Sequence, residues 1–240
     1  PKLRICLEND REVPFLGAVT KLFYKLLLSE MFETPTAENH WAEKYPSINF
    51  TRLYSVTNQN GLPPDCHCLN FRLVHRAIFT LEKLFKFGQV VSNTCKACGL
   101  YTENLLHLFA LCPKLTPIHN FLKDMLHNIF IDYPPDVVNL INYEELMIFG
   151  YLGSSKIVNT YFLNFFLSIA RLCIFKTRNL KVFHDKEIDT VRLFKFTIRK
   201  YIEYAYTYYK IKHQQQIFDK YFLRNNSLLR IEDEKIILFF

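Results

Sequence analysis

The sequence predicts a mainly α protein: an irregular helical domain with a small Cys-Cys-His-Cys knuckle. Three observations point there. Half of the 240 residues are apolar and 16% are aromatic, enough to bury a sizeable core. Only six glycines are present, which disfavours a many-turned sandwich or barrel. Apolar residues recur at helical spacing, as in Leu16, Val19, Leu22, Phe23, Leu26, Leu27 and Met31.

Residues 1–14 are polar and read as irregular, and 16–32 as a helix. Pro35 and Thr36 mark 33–40 as a loop. Trp41 to Tyr54 reads as two short elements broken at Pro46. The Asn, Gly and Pro residues of 57–66 form the clearest loop. Leu69 to Phe87 reads as one helix striped by Leu73, Ala77, Leu81 and Leu84, with Gly88 as its terminator. A helix follows from about Leu115 to Phe130, then a short element at Tyr143–Phe149 and a turn over 150–155. Lys156 to Arg178 is apolar almost all round and is expected at the centre of the fold. Its apolar run of about 15 residues is short of the ~20 a membrane span needs, and Asn164 and Arg171 interrupt it. Residues 187–223 read as one long helix or two. The state of the tail 226–240 is left open.

No apolar signal segment precedes the seven cysteines Cys6, Cys66, Cys68, Cys95, Cys98, Cys112 and Cys173. Reduced thiols in the nucleus and cytoplasm are the expectation. The start at Pro1 is read as part of a longer polypeptide.

The densest chemistry is Cys95-Lys-Ala-Cys98-Gly99, followed by His107 and Cys112-Pro113. Zinc takes four nitrogen or sulfur ligands in a tetrahedron, commonly as two close pairs. Cys95 and Cys98 have knuckle spacing, and Gly99 permits the tight backbone turn. Thr102 is expected to cap a short helix bearing His107, with Glu103 near its positive end. On an unbroken helix, Cys112 would lie roughly 140° from His107. The helix must therefore end or distort before Cys112, and Pro113 disfavours helix at that residue. The expected cofactor is one structural Zn2+. Cys66-His67-Cys68 is read as packing.

The formal charge is +7, and the segment Arg171–Lys212 alone holds eleven Lys/Arg against four Asp/Glu. On a helix over 191–212, Phe194, Ile198, Ile202, Ala205 and Tyr209 share one face, and Arg192, Lys195, Arg199, Tyr206 and Lys210 lie on another, interrupted by Glu203. Cations interleaved with tyrosine suit phosphate contact and base stacking. A merely solvated face stays open as the alternative.

Phe71-Arg-Leu-Val-His-Arg-Ala77, Thr80, Leu84, the cysteine cluster with Glu103, His107-Leu-Phe109 and Cys112-Pro113 together resemble the zinc-binding region after the reverse transcriptase of LINE-type (non-LTR) retrotransposons. The family often has Trp where Phe71 stands. Lys21–Leu27, Trp41, Ile148-Phe-Gly150, Asn164–Ala170 and Lys176-Thr-Arg178 extend the likeness to about residues 15–205. The resemblance implies a lead-in over 1–68 following the polymerase, a zinc-binding region over 69–132 and a C-terminal helical region over 133–240. It implies RNA or DNA and the upstream polymerase as partners, and a role in holding template or target during target-primed copying.

The polymerase's paired aspartates are absent, since the chain has no Asp-Asp and no Asp-x-Asp. Pro135-Asp136 is followed by no acidic-x-Lys pattern of an endonuclease and reads as a turn. The expectation is a non-catalytic region with no small-molecule substrate and no membrane span. A zinc-scaffolded protein-interaction module, and a decayed or host-retained fragment, remain the alternatives.

Overall fold

The computed structural model describes residues 4–6, 12–14, 20, 23, 33–59, 61–129, 142–153, 159–224, 228–233 and 235–239. The fold is mainly α, as the composition and periodicity predict. The chain divides into two compact units, Pro1–Pro46 and Ser47–Phe240.

The first unit holds an antiparallel pair where an irregular segment was expected. Strand β1 (Arg4–Cys6) pairs with β2 (Glu12–Pro14), Ile5 opposite Val13. Helix α1 spans Thr36–Lys44, so the expected loop ends at Pro35. Pro35 is the N-cap, a place where its missing N–H costs no helical hydrogen bond. Trp41 is buried, with the Tyr45 ring 6.3 Å away. The helix expected over 16–32 lies almost wholly outside the described residues, as does Pro135-Asp136.

In the second unit, α2 (Phe50–Thr57) is capped by Asn49, whose Oδ1 accepts from Arg52 N–H. Helix α3 (Pro64–Val74) starts inside the expected loop, because Pro64 at the first helical position has φ preset for helix. The single helix expected over 69–87 is two. Arg76 takes φ +53, with its N–H on Leu73 O and Ala77 N–H on Arg72 O, a left-handed C-terminal lock. Thr80 then caps α4 (Leu81–Lys86), and Gly88 (φ +67) terminates it as expected.

Past the knuckle come α5 (Thr116–Ile129), α6 (Tyr143–Phe149), α7 (Thr160–His184) and α8 (Thr190–Ile211). A short α9 (Gln215–Phe218) runs into a π turn at Asp219–Leu223. The tail is a hairpin, β3 (Leu229–Glu232) against β4 (Lys235–Leu238).

Helix α7 is the axis of this unit. It packs against α3, α6, α8 and the π turns at His107–Leu111 and Asp219–Leu223. Phe162 through Ile174 are buried without a break. Its polar residues each hold a different segment. Asn164 accepts from Tyr151 N–H and donates to Tyr151 O, fixing the loop after α6. Ser168 Oγ accepts from Asn70 of α3, and Arg171 donates to Ile148 O of α6. Arg178 reaches the knuckle. Among the described residues no helix is long and apolar enough to cross a membrane.

Candidate metal centre and cationic helix

The knuckle begins as a narrow antiparallel turn. Thr94 bridges Thr102, Cys95 N–H bonds Tyr101 O at 2.8 Å, and Glu103 N–H bonds Asn93 O at 2.9 Å. Gly99 has φ +69 and open space where a Cβ would sit, so backbone conformation, not crowding, calls for glycine there. The turn brings Leu100 N–H to Cys98 Sγ at 3.5 Å.

Thr102 is not the helix cap, since it is held in the bridge. Asn104 is, with Oδ1 accepting from His107 N–H at 2.9 Å. Residues 107–111 then form a π turn, in which Cys112 N–H bonds His107 O at 3.0 Å, five residues back. Widening the turn from four residues to five returns Cys112 over His107. This is the distortion that the five-residue spacing demands. Cys112 itself is extended (ψ 125) ahead of Pro113.

The result is one cluster. The ligand atoms of Cys95, Cys98, His107 and Cys112 all lie within 4.8 Å of one another. Cys95 Sγ and Cys112 Sγ are 3.9 Å apart, and Cys98 Sγ and His107 Nε2 are 3.5 Å apart. Ligands at tetrahedral vertices around zinc stand about 3.8 Å apart for two sulfurs and about 3.5 Å for sulfur and nitrogen. Cys95, His107 and Cys112 are buried, and Cys98 is partly exposed. A hydrogen bond from the Cys112 thiol holds the Cys95 thiol down, to about 4, aided by the Cys98 and Ala97 amides and by His107. The same shared bond, together with burial, pushes Cys112 up. Three sulfurs and one imidazole at these separations are a donor set that suits zinc.

Glu103 was expected near a helix end. It is instead 1% exposed and anchors the knuckle to two helices. Its carboxylate accepts from Leu81 N–H of α4 and from Arg178 Nε of α7, at 2.9 and 3.0 Å, and forms an ion pair with Arg178 Nη2. Sequence reasoning missed this pair. No local signal in the sequence singles out Arg178 among the other polar residues of α7.

Cys66-His67-Cys68 lies on α3 and is not a second cluster. Cys66 is fully buried, its thiol pushed up to about 12 by burial, while Cys68 is exposed.

The charge excess is smaller at the surface than in the sequence. Arg171 and Arg178 are internal, Lys176 pairs with Asp65, and Lys181 pairs with Asp185 and Glu187. Arg192, Lys195, Arg199 and Lys210 are exposed along α8. Lys195 Nζ lies 4.9 Å from the Phe121 ring centroid. Arg199 and Lys210 line a cleft of ≈ 500 Å³ shared with Lys235 of β4. Tyr206 lines the same cleft but is only 8% exposed, with its ring edge-on to Phe218 and Lys210 Nζ 6.0 Å from its centroid, so little of it is open to a base.

Residues 20–118 match the model of a family described as zinc-binding in reverse transcriptase. That stretch includes all four members of the cluster. The chain is therefore similar, over this region, to a zinc-binding region associated with reverse transcriptase. No curated protein and no solved structure matches.

Proposed function

We propose that this chain is a non-catalytic, zinc-stabilised nucleic-acid-binding region that follows a LINE-type reverse transcriptase and helps hold RNA template or DNA target during target-primed copying. The observation that carries the reading is the Cys95/Cys98/His107/Cys112 cluster inside the stretch similar to the reverse transcriptase zinc-binding family. With four protein ligands, a bound zinc has no open position, so its contribution is to tie the knuckle's two halves together. Catalytic chemistry is assigned to the upstream polymerase, because this sequence lacks paired aspartates.

The nucleic-acid contact is assigned to Arg192, Lys195, Arg199 and Lys210 of α8. Cations that meet phosphates release counterions, so affinity falls linearly with salt on a logarithmic scale. The test uses the zinc-loaded chain, its metal content measured, titrated into labelled single-stranded and duplex DNA and RNA at several salt concentrations. Lys195→Ala with Arg199→Ala is expected to weaken binding to all of them and to flatten the salt slope by roughly one unit per lost phosphate contact. Folding should be little affected, since exposed substitutions are usually within about 0.5 kcal/mol. Unchanged affinity and slope in a folded double mutant would leave a protein-interaction module as the better reading.

A further inference from the structure

Helix α8 carries a second apolar stripe besides the one its packing uses. Phe194, Ile198, Ile202 and Ala205 are buried, and the helix packs on α5, α7 and α9. At 100° per residue, Phe196, Lys200, Tyr204, Thr207 and Ile211 stand on the far side, roughly 150° round the helix from that buried face. The cationic row lies between the two, about 100° from either. Phe196 is 67% exposed, Tyr204 69% and Ile211 70%, and Tyr208 at the edge of the stripe is 46% exposed. The outward side of a surface helix ordinarily carries charged and polar groups, and a continuous exposed apolar stripe marks an interaction surface. Its charges are Lys200 in the middle and Glu203 at the margin, neither ion-paired to another described residue. Pro63 and Pro64 border the stripe on one side, and Lys235 and Ile236 of β4 on the other.

We propose that this outer stripe of α8 is a homodimer interface, on which two copies of the chain pair antiparallel about a two-fold axis. A two-fold contact uses the same patch on both copies, so the patch has to match itself reversed. The stripe does. Counted from Ile202, Leu193 and Ile211 stand nine residues away on either side, Phe196 and Tyr208 six, and Lys200 and Tyr204 two. An antiparallel copy centred there sets Leu193 level with the copy's Ile211. It sets Lys200 level with the copy's Tyr204 and within one residue of the copy's Glu203. An ammonium beside a tyrosine ring and a carboxylate is attracted to both. A parallel pair would instead set lysine beside lysine and glutamate beside glutamate. At about 150–250 Å² per aromatic ring, the exposed parts of Phe196, Tyr204, Tyr208 and Ile211 come to about 400–550 Å² per copy, close to the apolar part of a standard interface of about 800 Å² per partner. A polyanion is repelled by Glu203, and a lipid surface would have to bury Lys200 unpaired. The two-fold axis runs at right angles to both helices and to the line joining them. It therefore keeps the two cationic rows on the same side of the dimer, beside the contact rather than in it. The inference does not depend on what those rows bind.

The experiment is sedimentation equilibrium of the zinc-loaded full chain across micromolar concentrations. The wild type should reach twice the chain mass in a concentration-dependent, reversible way. Phe196→Ala with Tyr204→Ala should weaken the dimer by about thirtyfold or more, the scale of a lost aromatic anchor. Both positions are exposed, so circular dichroism should be unchanged. Lys200→Glu alone, and Glu203→Lys alone, should each weaken self-association by about tenfold or more, because four like charges then crowd the axis. An equimolar mixture of those two variants should pair again, since opposite charges meet once more across the contact. A wild-type chain that stays monomeric throughout overturns the proposal. So does a dimer whose strength none of the variants alters, because its contact then lies elsewhere. Flotation of a monomeric chain with phosphatidylcholine–phosphatidylserine vesicles, lost in the Ala variant, assigns the stripe to a membrane surface and overturns it as well.

Discussion

Glu103 joins three parts of the chain through one carboxylate. It stands in the knuckle, accepts from the first N–H of α4 and pairs with Arg178 near the end of α7. Both charged groups are withdrawn from water, with side-chain exposures of 1% and 7%. Removing one member of such a pair leaves the other buried and unpaired, which costs about 3–5 kcal/mol. Glu103→Gln is therefore expected to lower unfolding stability by about that much in the zinc-loaded protein, read from the urea midpoint. Replacing both members by apolar residues, Glu103→Leu with Arg178→Met, should recover much of the loss, because no bare charge is then left behind. A single-mutant loss below about 1 kcal/mol would mean that the pair is solvated in solution and does not anchor the knuckle. The pair was illegible in the sequence for a physical reason. A carboxylate just before a short helix has a cheaper local explanation in the helix dipole, and 75 residues separate it from its partner.

Helix termini show where sequence reading works and where it fails. Two neighbouring helices end with the same left-handed geometry, but α4 ends on Gly88 and α3 on Arg76. The glycine was read correctly as a terminator. The arginine carries no such signal, so α3 and α4 merged into one apolar stripe. The π turn at His107–Leu111 was legible because chemistry constrained it: five residues between two ligands do not fit an α-helix. The hairpin of β3 and β4 was not, because its alternation spans only four residues per strand. Gly88 supplies a test at this scale. A Cβ there would meet nothing within 4 Å, so Gly88→Ala is strained by backbone conformation alone. The left-handed region costs an L-residue about 1–2 kcal/mol. The expected outcome is a stability loss of about 1 kcal/mol in urea unfolding, with Gly88→Asn costing less, since asparagine tolerates that conformation. Equal stability of the Ala variant and the wild type would show that α4 frays before the global transition.

At the scale of the whole Ser47–Phe240 unit, the helical core and the Cys/His cluster are built by different segments of the chain. The Cys95/Cys98/His107/Cys112 grouping was readable from spacing, and so was the central position of α7, because a helix apolar almost all round has to be enclosed. What the sequence did not disclose is which elements pack around each. In small zinc domains, metal binding and folding are one event, and removing the metal unfolds the chain. Here α7 buries Phe162 through Ile174 against α3, α6 and α8, none of which contributes a member of the cluster. The knuckle from Asn93 to Asn104 has few internal backbone bonds besides those at Cys95, Gly99 and Glu103. Segments held by few buried apolar contacts open locally, at far lower free energy than the core. Chelation of zinc, or Cys98→Ser, is therefore expected to deprotect amides of 93–104 by about a hundredfold or more in hydrogen exchange. Amides of 162–174 should keep their protection, and far-ultraviolet circular dichroism should lose only a minor part of its helical signal. The π turn lies between these limits, since Leu108 and Phe109 are buried in the core while His107 and Cys112 face the metal cluster. Its amides should lose protection partially. Uniform loss of protection across α7 on chelation would show that the unit folds only around its metal, and full retention of zinc by Cys98→Ser would remove that cysteine from the centre.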